Sequence, residues 1–128
     1  MRNFLIVLLA GLLLTTACST TRIPAAGSSI TATQLQSLNT KGKIQLIDAR
    51  TEGEFKEGHI PGAQLLDVLQ EASFLQQIKS LDTNKAYVVY CRSGRRSKRA
   101  MELMLQNGFK KVSDLDGGFQ GWTGPKEK

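Results

Sequence analysis

Between Ile30 and Trp122 short apolar runs alternate with stretches of helical period, and this alternation confines the chain to an α/β domain with a mostly parallel sheet. A run that is apolar at every position must be covered on both faces, as strands of a parallel sheet are. Ala86 to Tyr90 (AYVVY), rich in β-branched and aromatic residues, is the strongest such run. Ile44 to Ile47 predicts a second strand, Gln64 to Val68 a weaker one and Val112 to Leu115 a short one. Between them Ala72, Phe74, Leu75 and Ile78 fall at helical spacing over residues 70 to 80. The clearest helix is predicted over Ser97 to Asn107: Ala100, Met101, Met104 and Leu105 follow Ser97 at helical intervals, and Gly108 stands where a cap glycine belongs. At that spacing Met101 and Met104 read as core, not as soft ligands. A chain of 128 residues has room for one such domain.

Residues 1 to 17 carry a different signal. Arg2 supplies a minimal positive start, and Phe4 to Leu14 is an uninterrupted apolar run of secretory-signal type. It is too short to span a bilayer, which takes roughly 20 apolar residues. The small residues leading into Cys18 resemble a bacterial lipoprotein signal, which implies lipid attachment at Cys18 and, with Ser19 next, an outer-membrane anchor facing the periplasm. The alternative is an ordinary cleaved signal with an incidental cysteine. Residues 18 to 29, polar with Pro24 and Gly27, are expected to form a flexible tether. A folded domain is expected over residues 30 to 124, with a short tail over 125 to 128.

Charge is concentrated. Of a net +6, Arg92, Arg95, Arg96, Lys98 and Arg99 supply five charges within one acid-free stretch. Nucleic-acid binding needs basic residues spread over an extended footprint, so no nucleic-acid partner is expected. Two cysteines, one histidine and no C-x-x-C leave no metal site with a full set of soft or imidazole ligands.

That basic stretch follows the strongest strand directly. In Tyr90-Cys91-Arg92-Ser93-Gly94-Arg95-Arg96-Ser97 a cysteine ends a buried strand, a tight loop follows, and a helix begins. Open parallel sheets bind ligands at that end. Loop amides and the helix N-terminus carry positive partial charge, and the arginines add full charges. Such surroundings bring a thiol from near ~8.5 to between about 3.5 and 7.5, so Cys91 is expected to be largely thiolate at neutral pH. Arginines in a first helical turn oppose the helix dipole, an arrangement that calls for an anion beside them. The competing reading is a buried structural cysteine with basic residues solvating a helix end.

Four separated motifs, in order over residues 34 to 124, resemble the single-domain rhodaneses of the sulfurtransferase family. They are Ile47-Asp48-Ala49-Arg50, Gly58-His59-Ile60-Pro61-Gly62-Ala63, the cysteine loop, and Leu115-Asp116-Gly117-Gly118-Phe119 with Trp122. The resemblance implies a rhodanese α/β fold, a central mostly parallel sheet with helices on both faces, and a six-residue active loop from Cys91 to Arg96. It implies that Cys91 takes a sulfane sulfur from a small anionic donor such as thiosulfate, becomes a persulfide and passes the sulfur to cyanide or a thiol, with no cofactor. Arg92, Ser93, Gly94, Arg95 and Arg96 would bind the donor. Asp48, Arg50, His59, Gly118 and Trp122 are expected to be structural, and Glu54 a packing position. With no second domain the site should be open and able to admit a bulky acceptor, such as a cysteine on another envelope protein.

Two other classes are weighed. A cysteine-based phosphatase would need C-x5-R, and position 97 holds Ser97. A non-catalytic rhodanese-like binding module is the other; such modules often lack the cysteine that this chain keeps.

Overall fold

The computed structural model describes residues 22–128 apart from Lys41. The signal segment and Cys18 lie outside the described residues. The elements follow one another as β1 (Ser29–Ile30), α1 (Ala32–Thr40), β2 (Gln45–Asp48), α2 (Glu52–Glu57), β3 (Gln64–Leu65), α3 (Glu71–Ile78), β4 (Ala86–Tyr90), α4 (Arg95–Gln106) and β5 (Lys111–Leu115), with a 3-10 turn at Phe119–Gly121. The sheet order is β1-β5-β4-β2-β3, and every neighbouring pair is parallel.

The alternation of side chains along the strands divides the core into two halves. Tyr87 and Val89 of β4, Ile47 of β2 and Val112 of β5 face Phe74 and Ile78 of α3 and Ala100, Met101, Leu103 and Met104 of α4. Val88, Tyr90, Leu46 and Leu115 point the other way, onto Leu35 and Leu38 of α1, Ile60 and Trp122. All five residues of β4 are buried, which is why that strand reads as continuously apolar. Helix α4 ends as its sequence requires: Gly108 takes φ +89° and donates to the Leu105 carbonyl, and the Phe109 amide reaches back to Met104.

Several boundaries differ from the expectation. Residues 25 to 29 are not a free tether. Gly27 donates to the Val112 carbonyl at 2.8 Å, Ser29 and Ile30 pair with Asp114 and Leu115, and the Ser113 hydroxyl donates to the Ala25 carbonyl at 3.2 Å. Two of their hydroxyls are bonded to β5: Ser28 lies 3.3 Å from the Ser113 hydroxyl, and Ser29 donates to the Asp114 carboxylate. The tail is likewise held: His59 and Glu127 exchange backbone hydrogen bonds at 2.9 and 3.0 Å. Helix α4 starts at Arg95 rather than Ser97, which moves Arg95 and Arg96 from the loop into the first helical turn. Strand β3 stops at Leu65, although the Leu66 and Val68 amides still donate to Asp48 and Ala49.

Candidate active site

Strand β4 delivers Cys91 to the carboxyl edge of the sheet, where its sulfur is covered: the residue is 1% exposed. The chain turns through Gly94, whose φ of +123° lies in the region that disfavours a side chain, and enters α4. The turn brings the Gly94 amide to 3.0 Å from Sγ. One helical turn on, the Ser97 hydroxyl lies 3.5 Å from Sγ and donates to the Gly94 carbonyl at 3.1 Å. With its hydrogen on the Gly94 carbonyl the oxygen accepts from the thiol, and the hydrogen can turn instead onto a thiolate.

Burial raises the Cys91 pKa, but hydrogen bonds from the Ser97 hydroxyl and from the amides of Ser97, Gly94 and Ser93 outweigh it, and the thiol ends below its ordinary value. The direction matches the expectation from sequence; the cause differs. The lowering comes from hydrogen bonds of the loop and the start of α4, and the Arg96 charge interacts with the sulfur. Ser97, noted in the sequence only as a helix start and as the residue standing where a phosphatase has arginine, belongs to the site.

The three loop arginines are not equivalent. Arg92 and Arg95 are exposed. Arg96 is half-buried and forms a bidentate pair with Glu54 at 2.7 and 2.8 Å. Glu54 is therefore no mere packing residue. It closes the capping box of α2, accepting from the amide and hydroxyl of Thr51 at 3.0 Å each. The Arg96 guanidinium, assisted by Thr51 and opposed by some desolvation, brings the Glu54 pKa down to about 2.

The loop is also held from outside. Gly118 sits so close to it that a Cβ there would lie 2.5 Å from the Arg92 carbonyl oxygen and 2.6 Å from that of Cys91. The next two amides, of Phe119 and Gln120, donate to the Cys91 and Arg92 carbonyls at 2.7 and 2.9 Å. These two bonds anchor the cysteine's backbone, so Gly118 supports the site directly.

The remaining motif residues lie around this centre. Arg50 is buried and grips Asp48 through Nε and Nη2, donates to the Gly58 carbonyl at 2.7 Å, and lies 4.3 Å above the Phe119 ring. His59 stacks on Phe55 at 3.7 Å, with its ring nitrogens directed to the Phe55 carbonyl and the Glu127 carboxylate. None of these contacts is with the cysteine loop. Trp122 is buried and donates from Nε1 to the Pro125 carbonyl at 2.8 Å. A cleft of about 440 Å3 opens beside the loop, lined by Arg50, Glu54, Glu57, Gly58, Arg92, Phe119 and Gln120. A larger cavity of about 650 Å3, between residues 22 to 30 and α1, is lined by none of the loop residues and has no part in this chemistry. Among the described residues no cluster of three or more His, Cys, Asp or Glu is placed to hold a metal.

The comparisons with known proteins bear on the family and the fold. A family model described as "Rhodanese-like domain" matches residues 31–125. The uncharacterized protein YqhL of Bacillus subtilis is 38% identical over 82 residues, which are 64% of this chain and 63% of that protein, so the match spans less than two thirds of its length. Thiosulfate sulfurtransferase GlpE of Shewanella oneidensis is 33% identical over 93 residues, 73% of this chain and 89% of that protein. Among solved structures, the Alr3790 protein from Anabaena superposes with a TM-score of 0.70 at 27% identity, covering 77% of this chain and 81% of that one.

Proposed function

Because the chain belongs to the rhodanese-like family, we propose that it is a sulfurtransferase that moves a sulfane sulfur from thiosulfate or a similar donor to a thiol or cyanide through a Cys91 persulfide. One observation carries the reading: the Cys91 sulfur faces the Gly94 amide at 3.0 Å and the Ser97 hydroxyl at 3.5 Å, in surroundings that lower its pKa. A site arranged for a structural thiol has no need of donors that stabilise its anion.

The reaction proceeds in two displacements. The Cys91 thiolate attacks the outer sulfur of thiosulfate; a sulfur–sulfur bond forms to Cys91, the donor's own sulfur–sulfur bond breaks, and sulfite leaves with its electron pair. An acceptor thiolate then attacks the outer sulfur of the persulfide, and the Cys91 thiolate departs with the electron pair of the bond that joined them. The loop amides and the Ser97 hydroxyl stabilise the anion at each stage. Position 97, where a phosphatase loop needs arginine, holds the hydroxyl that meets the sulfur. The test is to load Cys91 with labelled sulfur and follow it: transfer to small thiols or a protein thiol is expected, and transfer to cyanide alone would reject the thiol as acceptor.

Donor capture falls to the exposed arginines. Arg92→Gln and Arg95→Gln should each raise the KM for thiosulfate by roughly two- to fivefold, the scale of one exposed charge, with little change in kcat. Added salt should have a similar effect, because an exposed attraction is screened. Steady-state kinetics at two ionic strengths would show it. An unchanged KM in both variants would leave capture to the amides.

The proposal extends to location. The apolar run Phe4 to Leu14 and the small residues before Cys18 support export and acylation at a bacterial envelope, on the periplasmic side. A lipid on Cys18 would leave Cys91 as the chain's one thiol, with no partner for an intrachain disulfide in an oxidising compartment. Wild-type protein should then sediment with membranes and Cys18→Ala should not. Soluble wild-type protein would refute the anchor.

A further inference from the structure

The two ion pairs at the start of α4 differ in depth. Arg99 meets Glu71 at the surface, where both side chains are nearly half exposed. Arg96 meets Glu54 with side-chain exposures of only 23% and 28%. Glu54 is fixed from behind by Thr51, and it shares the cleft wall with Arg50, Arg92 and a second acid, Glu57. A helix with Arg95 and Arg96 in its first turn and no acid there calls for an anion at its N-terminus. Part of that anion is built into the chain.

We propose that Glu54 tunes anion binding at the site: by occupying the Arg96 guanidinium with two hydrogen bonds, it holds down the affinity for tetrahedral dianions, thiosulfate and sulfate alike, so that donor and leaving sulfite exchange readily instead of being held tightly. This deepens the reading of Cys91 as the reacting centre and rests on it. Donor, leaving sulfite and acceptor thiolate all carry negative charge. Tight ground-state binding of any of them slows turnover without lowering the barrier to the chemical step. Three unopposed arginines beside the sulfur would bind in that way, because planar guanidinium forks match oxyanions well. With Arg96 engaged, an arriving anion meets the loop amides and the exposed Arg92 and Arg95. To recruit Arg96 it must first displace a carboxylate held by four hydrogen bonds. The Glu54 carboxyl, held down to about 2, stays charged wherever the Cys91 thiolate exists, so its effect is constant rather than switched by pH.

The test uses the full chain and sulfate, an unreactive tetrahedral dianion. The rate at which iodoacetamide alkylates Cys91 is measured against sulfate concentration, with ionic strength held by chloride and the Cys91 peptide read by mass so that Cys18 does not contribute. In Glu54→Gln the sulfate concentration that halves the rate should fall roughly three- to tenfold, the worth of one partly screened charge, and the thiol should titrate at lower pH because Arg96 is released toward the sulfur. Glu54→Asp keeps the charge but draws it back from the guanidinium, so it should shift both readouts the same way by less; it decides the question where the glutamine variant does not fold. Unchanged or weaker protection by sulfate in the folded variants would overturn the proposal. Neither readout requires sulfur transfer, so a wild-type protein that forms no persulfide would sink the sulfurtransferase reading while leaving this test standing.

Discussion

Cys91→Ser is expected to abolish sulfur transfer, by roughly a thousandfold or more, because the site offers no other nucleophile and a hydroxyl is far weaker at neutral pH. The fold should survive. A serine hydroxyl is slightly smaller than the thiol and can keep both neighbours, accepting from the Gly94 amide and bonding to Ser97. A stability cost of about 1 kcal/mol, ordinary for a conservative buried change, is all that is expected. Thermal unfolding paired with a thiosulfate-to-cyanide assay separates the two effects. A folded serine variant that still transfers sulfur would mean that the reacting group lies elsewhere.

Gly118→Ala should have the second largest effect, for a reason lying wholly in the backbone. Gly118 holds φ at +56°, and a methyl there would stand 2.5 to 2.7 Å from the Cys91 and Arg92 backbone. Neither neighbour can swing aside as a flexible side chain could. Either the 3-10 turn moves off the loop and gives up the Phe119 and Gln120 hydrogen bonds, or the loop moves and the Gly94 amide leaves the sulfur. The combined strain and overpacking should cost about 2–4 kcal/mol. Where the variant folds, kcat should fall further than the change in KM explains, and Cys91 alkylation should slow as the thiol pKa climbs back. Unchanged alkylation in a stable variant would contradict the anchoring role.

The strongest parts of this architecture are written in single residues. AYVVY can only be a strand covered on both faces, and Gly108 ends α4 where its spacing requires. Helices α1 and α2 left weaker traces. Among the described residues of α1, Leu35 and Leu38 are buried, and α2 buries none, so neither shows a sustained apolar stripe. Neither helix was expected from the sequence, although the capping boxes that start them, Thr31 with Gln34 and Thr51 with Glu54, are a signal that could have found them. The cysteine loop could be read because strand, thiol, glycine and arginines are contiguous. The Glu54–Arg96 pair and the seat of Gly118 on the loop could not, because each joins segments more than twenty residues apart in sequence. Charge counted along the chain therefore overstated the loop's free positive charge: one of its arginines is already taken by an acid 42 positions away.

If Cys91 carries the sulfur in transit, the bond is covalent, and intact mass after treatment with thiosulfate registers it. Wild-type protein should gain one sulfur, about 32 Da. The addition should map to the Cys91 peptide, be absent from Cys91→Ser and be removed by cyanide or a small thiol. A wild-type mass that does not change under thiosulfate, with Cys91 recovered as a free thiol, would contradict it.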